Sequence, residues 1–186
     1  MIPTIYLIRH ATPDWSRTDL DYHVPPGPPL TAQGEAEAAK LGEFLQDMQI
    51  AHIFASPLER CQRTAAIAAA AVALTPVEDT RLAEWRPQEK APEIHARLWP
   101  AWVQASELCR EAGPVALVTH GGPIGLLLAE LGLDPKQLAH YKATFDRSNP
   151  VPPAGAWRAV QTTPEAPWSL DLAFTPAAHR ARAWLV

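Results

Sequence analysis

Arg9-His10 closes the apolar run Ile5-Tyr6-Leu7-Ile8. Three other polar groups accompany it along the chain: Ser56-Pro57-Leu58-Glu59-Arg60, Glu84 within Arg81-Leu82-Ala83-Glu84-Trp85, and Thr119-His120-Gly121-Gly122. These residue types suit phosphoryl transfer through a histidine. A neutral imidazole can attack phosphorus and carry the phosphoryl group as phosphohistidine. A phosphomonoester dianion repels a nucleophile, so fixed cations must meet its equatorial oxygens. The planar fork of arginine pairs with phosphate bidentately and keeps its charge. Arg9 and Arg60 would form such a clamp without a metal. His120 opens a glycine-rich turn into a helix, where the N–H groups near Gly121 and Gly122 could add anion binding. The leaving alkoxide needs a proton, and an apolar neighbour such as Trp85 can keep the Glu84 carboxyl protonated for that task. Each piece taken singly has a plainer reading: a surface pair, a helix start with proline at its first position, a turn, a solvated carboxylate. Their conjunction favours chemistry.

The elements that must position these residues alternate. Strands are expected at Pro3 to Ile8, His52 to Ala55, Val72 to Val77 and Val115 to Thr119. Helices are expected from a Thr31 cap through Met48, from Leu58 to about Ala71, over Ala91 to Ala112 with Pro100 breaking or kinking it, over Ile124 to Leu131, and from Asp134-Pro135 to about Tyr141. Residues 11–30 are polar and proline-rich and must form an extended loop. Ala156 to Thr162 and Trp168 to Phe174 could pair as a hairpin on a sheet edge. The expected fold is α/β, a three-layer sandwich with a mostly parallel central sheet flanked by helices. In such sheets ligands bind beyond the carboxyl ends of the strands, which is where Arg9-His10 and His120 fall.

Composition bounds the remaining classes. The chain has 186 residues, 47% hydrophobic and 19% charged, with a formal charge of −4. That fits one soluble domain and offers no basic stripe for nucleic acid. No window approaches a membrane span and the N-terminus lacks a signal pattern, so a cytoplasmic location is expected. Cys61 and Cys109 read as reduced core cysteines, and no cysteine, histidine or carboxylate cluster shows metal-ligand spacing. No metal or cofactor is expected.

Several stretches resemble the histidine phosphatase superfamily, in its phosphoglycerate mutase-like branch. They are Leu7 to Thr12, Pro29 to Gly34, Ser56 to Ala65, Leu82-Ala83-Glu84 and Val118 to Gly122. The resemblance implies that His10 is phosphorylated, that Arg9, Arg60, His120 and Gly121 bind the phosphoryl group, and that Glu84 donates the proton. It departs from the family at Ala11, where glycine is usual, at Ser16, where asparagine is common, and at Gly125, near the place of a frequent arginine. Ser16 and Trp15 are candidate substrate contacts; Arg63, one turn beyond Arg60, should face solvent or a carboxylate. The segment 85–113 is expected to be a short lid without a basic cluster, and 150–186 a hairpin-like extension whose aliphatic, tryptophan-rich tail could hold a homo-oligomer interface. The other histidines, including His23 in the proline-rich loop, read as bystanders.

These features favour a metal-independent phosphatase acting on small phosphomonoesters. The alternatives are a phosphoglycerate mutase, a phosphatase of phosphohistidine proteins, and a non-catalytic binding domain on the same fold. The short lid counts against a mutase, and the complete polar set counts against a non-catalytic domain.

Overall fold

Strict in–out alternation along the central strands dictates the layering. The computed structural model describes residues 2–163 and 165–176. In β1 (Thr4–Arg9), Ile5 and Leu7 join one apolar cluster while Tyr6 and Ile8 join another on the opposite face. In β4 (Val115–Thr119), Val115 and Leu117 face the first cluster, Ala116 and Val118 the second. Strands buried on both faces are near-continuous aliphatic runs, which is how these two read in the sequence.

With β2 (His52–Ala55), β3 (Val77–Glu78), β5 (Ala156–Val160) and β6 (Ser169–Phe174), the sheet runs β3-β2-β4-β1-β5-β6. Its first four strands are parallel, and β5 and β6 add antiparallel edges. The chain therefore has the α/β sandwich expected, including the C-terminal hairpin. One strand is corrected: Val72 to Val77 is mostly turn, with Ala73 at φ +54, and only Val77–Glu78 pairs with β2. Val77 is 54% exposed, so no burial organises a longer strand there.

Helices α1 (Ala32–Gln46) and α2 (Glu59–Ala70) cover one face, with Leu41, Leu45, Ala65 and Ala68 in its core. Helices α3 (Ala91–Ala112) and α4 (Gly121–Glu130) cover the other, and α5 (Pro135–Thr144) packs beside α4. The segment 85–113, expected as a lid, is for the most part α3, whose Ile94, Leu98, Trp102 and Cys109 sit in the core. Pro100 lies inside this helix without ending it; its only unavoidable cost is one missing N–H bond to the carbonyl of Ala96. His179 and the rest of 177–186 lie outside the described residues.

The start of α1 fixes the chain that leaves β1. Thr31 caps the helix by accepting from Gly34 N at 3.0 Å, and its own N–H donates to the carbonyl of Thr12. Glu37 accepts from Thr12 N at 2.9 Å and from its hydroxyl. A Cβ at Gly34 would overlap the Thr12 carbonyl oxygen. Gly34→Ala should therefore push the segment after His10 away and destabilise the fold by about 1–3 kcal/mol, the range for overpacking. Thermal unfolding of the two proteins measures this, and an unchanged Tm would contradict the packing described.

Candidate active site

Arg9 and Thr119 are register partners at the ends of β1 and β4. His10 and His120 thus emerge side by side, their ring centroids 5.2 Å apart. Ser56 follows β2 on the same edge of the sheet. Glu84 reaches this edge from the segment after a short 3₁₀ turn, Thr80–Leu82, which Thr119 anchors by donating its hydroxyl to the Leu82 carbonyl at 2.6 Å. One nitrogen of each ring and a carboxyl oxygen of Glu84 all lie within 4.8 Å of one another.

Hydrogen bonding assigns the tautomers. His10 Nδ1 is 2.8 Å from the carbonyl oxygen of Ala11. A carbonyl only accepts, so Nδ1 carries the proton and Nε2 keeps the lone pair. Burial first, then the charges of Arg60 and Arg9, hold His10 well below the usual histidine range, so the ring is neutral near pH 7. His120 Nδ1 is 3.2 Å from Arg60 Nη2, and Nε2 is 2.8 Å from Ser56 Oγ. A guanidinium only donates, so His120 accepts through Nδ1 and donates through Nε2. Its basicity is lowered by the same burial and by Arg60.

Both arginines are buried. Arg9 forms a two-point pair with Asp146 at 2.6 and 2.9 Å, and also donates to the Val151 carbonyl at 3.1 Å. Arg60 donates to the Tyr22 carbonyl at 3.0 Å and lies 3.8 Å above the Tyr22 ring. The Nε of each is buried without a hydrogen-bond partner among the described residues. Burial raises the Glu84 carboxyl, while the Trp85 N–H at 2.9 Å and Arg60 act in the opposite sense. The environment needed by a proton donor is present, and Trp85 is part of it.

An aromatic wall closes the outer side. The Tyr22 hydroxyl lies 3.3 Å from His10 Nε2, and burial pushes this phenol up to about 12, so it stays a donor. Trp15 stacks on Tyr22 at 4.8 Å, and the Arg147 guanidinium lies 3.4 Å over Trp15. Arg60, Tyr22, Trp15 and Arg147 thus alternate cation, ring, ring, cation. The open cavity beside it has about 460 Å³ and is lined by Arg9, His10, Glu84, Gly121, Arg147 and Asn149, among others.

Six of the expected residues are brought together: Arg9, His10, Arg60, Glu84 and His120, with Gly121 at the start of α4. Trp15 lines the cavity as expected. Ser16 does not; its hydroxyl turns back to Asp14 Oδ1 at 2.6 Å, a bond that a local turn satisfies. Arg63 pairs with Glu35 at 2.7 Å on the surface. His23, expected to be a bystander, lines the cavity. Asp146, Arg147 and Asn149, where no motif was legible, reach it across more than a hundred residues of sequence. Arg147 and His23 bring basic side chains to the cavity from outside the 85–113 segment. His10, Glu84 and His120 also form a three-ligand constellation that spacing along the chain did not show. The guanidinium of Arg60, 3.2 Å from His120 Nδ1 and 3.9 Å from Glu84, works against a divalent cation among them.

Residues 5–87 match the family model of the histidine phosphatase superfamily (branch 1). Among curated proteins it is 29% identical, over 160 residues, to the "Probable phosphoglycerate mutase GpmB" of Klebsiella pneumoniae and to that of Salmonella choleraesuis, covering 68% of this chain and 74% of each relative. Among solved structures, a phosphoglycerate mutase from Bacillus anthracis aligns with a TM-score of 0.76 at 15% identity, covering 97% of this chain and 96% of its own. A mycobacterial glucosyl-3-phosphoglycerate phosphatase aligns at 0.72 and 22%, covering 92% and 98%. The alpha-ribazole phosphatase of Shigella flexneri aligns at 0.64 and 22%, covering 84% and 89%. These structural likenesses establish the shared fold.

Two pH limbs follow from the perturbed groups. Phosphoryl uptake needs His10 unprotonated, so kcat/KM should fall only once the pH drops below the depressed His10 value. Hydrolysis of an alkyl ester needs Glu84 protonated, so activity should fall as pH rises through its raised value. Glu84→Gln should remove the alkaline limb and slow alkyl phosphates about a hundredfold, with much less effect on p-nitrophenyl phosphate, whose leaving group needs no proton. Equal losses on both esters would remove Glu84 from this role.

Proposed function

We propose that this protein is a metal-independent phosphatase that hydrolyses small phosphomonoesters through a phosphohistidine on His10. The observation that carries the reading is the neutral His10 ring, its Nδ1–H fixed by the Ala11 carbonyl and its Nε2 directed at the cavity between two buried arginines. Nε2 attacks phosphorus as the bond from phosphorus to the leaving oxygen breaks, and Glu84 gives its proton to that oxygen. Water then attacks the phosphohistidine, its proton passing to Glu84, and the P–N bond breaks to release phosphate and restore the starting enzyme. Arg9, Arg60 and His120 meet the charge on the equatorial oxygens throughout.

The match of residues 5–87 to a histidine phosphatase model, with relatives and structural neighbours that bear phosphatase and mutase names, supports phosphoryl chemistry. The cavity volume supports hydrolysis: about 460 Å³ exceeds a phosphoryl group by enough to admit water, which occupies roughly 30 Å³ per molecule in the liquid. Arg147 and His23 at the mouth, together with the mutase relatives, keep mutase activity as the second reading. A phosphoglycerate presents a carboxylate that these basic groups suit.

His10→Ala should abolish turnover, and acid-labile, base-stable label from a phosphorylated substrate should be trapped on the parent protein only. Label persisting in His10→Ala would refute the intermediate. Arg60→Ala should lower kcat/KM by about 3 kcal/mol, the scale for one preorganised charge-stabilising group. A change under about threefold would remove it from the clamp. With 3-phosphoglycerate and a panel of monoesters, phosphate release should outpace formation of 2-phosphoglycerate and should survive EDTA. Faster isomer formation would select the mutase reading, and loss of activity in EDTA would refute the metal-free mechanism.

A further inference from the structure

Glu84 has no regular element to hold it. Residues 83–86 belong to neither helix nor strand, and the 3₁₀ turn before them is only three residues long. Yet a general acid must be kept within hydrogen-bond reach of one particular oxygen, and a carboxyl on a loose segment would miss it most of the time.

The support comes from α3. Arg97 projects from this core helix and spends every donor of its guanidinium on the segment around Glu84. Nη1 donates to the carbonyls of Arg81 at 2.7 Å and Ala83 at 2.8 Å. Nη2 donates to the carbonyl of Glu84 itself at 3.1 Å and to Glu89 Oε2 at 3.0 Å. Nε donates to Glu89 Oε1 at 2.6 Å. Glu89 returns the hold on the far side of the segment. Its carbonyl accepts from the Trp85 indole at 2.7 Å, and its carboxylate from Arg86 N at 3.3 Å. The Glu84 carboxyl in turn accepts from Trp85 N, so side chain and backbone are fixed by the same clamp.

We propose that Arg97 is a positioning residue for proton donation: it fixes the Glu84 backbone so that the carboxyl meets the leaving oxygen. The inference rests on the reading of Glu84 as the acid. Among the described residues Arg97 shares no hydrogen bond with His10, Arg9, Arg60 or His120; it reaches the phosphate clamp only through its charge, which helps lower the His120 basicity and which lysine would keep. Lysine cannot replace it, because one ammonium with three donors does not span five acceptor contacts arranged around a planar fork.

The test compares Arg97→Lys, Glu84→Gln and the double variant on glycerol 3-phosphate and on p-nitrophenyl phosphate. Arg97→Lys should lose about tenfold or more in kcat/KM on the alkyl ester and less than about threefold on the nitrophenyl ester, a partial copy of the leaving-group effect of removing the acid. The alkaline limb on the alkyl ester should flatten as well. In the Glu84→Gln background the second substitution should cost nothing more on the alkyl ester. Equal losses of Arg97→Lys on both esters, or additive losses in the double variant, would overturn the proposal while leaving Glu84 as the acid. A Glu84→Gln variant without leaving-group dependence would take down both assignments. If Arg97→Lys unfolds, as circular dichroism would reveal, Glu89→Gln takes its place. It weakens the ion pair but keeps the three carbonyl contacts, and it should show the same leaving-group dependence at smaller size; equal losses there would again overturn the proposal.

Discussion

Two guanidinium groups, Arg9 and Arg60, are buried at the carboxyl edge of the sheet, and neither can shed its charge. Much of the site is arranged to make that burial tolerable. Asp146 and the Val151 carbonyl hold Arg9; the Tyr22 carbonyl, the Tyr22 ring and His120 Nδ1 hold Arg60. Burial first, and then these charges, keep both imidazoles neutral, since a protonated ring there would add a third buried cation. The same buried edge thus holds two fixed cations beside two neutral rings.

The sheet delivers these groups cheaply. Parallel β2, β4 and β1 end on the same side, so residues 9, 10, 56 and 120 meet without any long excursion of the chain. What the strands do not provide are Glu84 and the outer wall. Both come from irregular segments, and each is held by side chains rather than by a ladder: Arg97 and Glu89 for Glu84, the stacked rings and Arg147 for the 11–30 loop.

That division explains what could be read in the sequence. β1, β2, β4 and the helix caps at Thr31 and Asp134 were legible because each rests on local pattern: aliphatic runs buried on both faces, or a side chain bonding two or three residues on. The five charged or basic motif residues were legible because they sit at strand and helix ends or carry a family pattern. β3 was overdrawn because a valine-bearing stretch looks like a strand whether or not anything covers it, and Val77 is exposed. The core packing of α3 was not legible because helical periodicity shows that a helix has an apolar face, not what that face covers. Tyr22, His23, Asp146 and Arg147 were invisible as site residues because loops without periodicity meet only through the tertiary fold. Arg147 carries a further mark of that role in its backbone: it and Ser148 sit at φ +51 and +56, a left-handed conformation that non-glycine residues adopt at a cost.

The placement of β5 beside β1 has a consequence for the order of events during synthesis. Arg9 N donates to the Gly155 carbonyl, Ala154 N to the His10 carbonyl, and the Arg9 side chain ends on Asp146 and Val151. A growing chain therefore presents residues 9 and 10 well before the parts that hold the arginine, which follow only at residues 146–155. Loop closure over some 140 positions must come before the anion site exists in its final form.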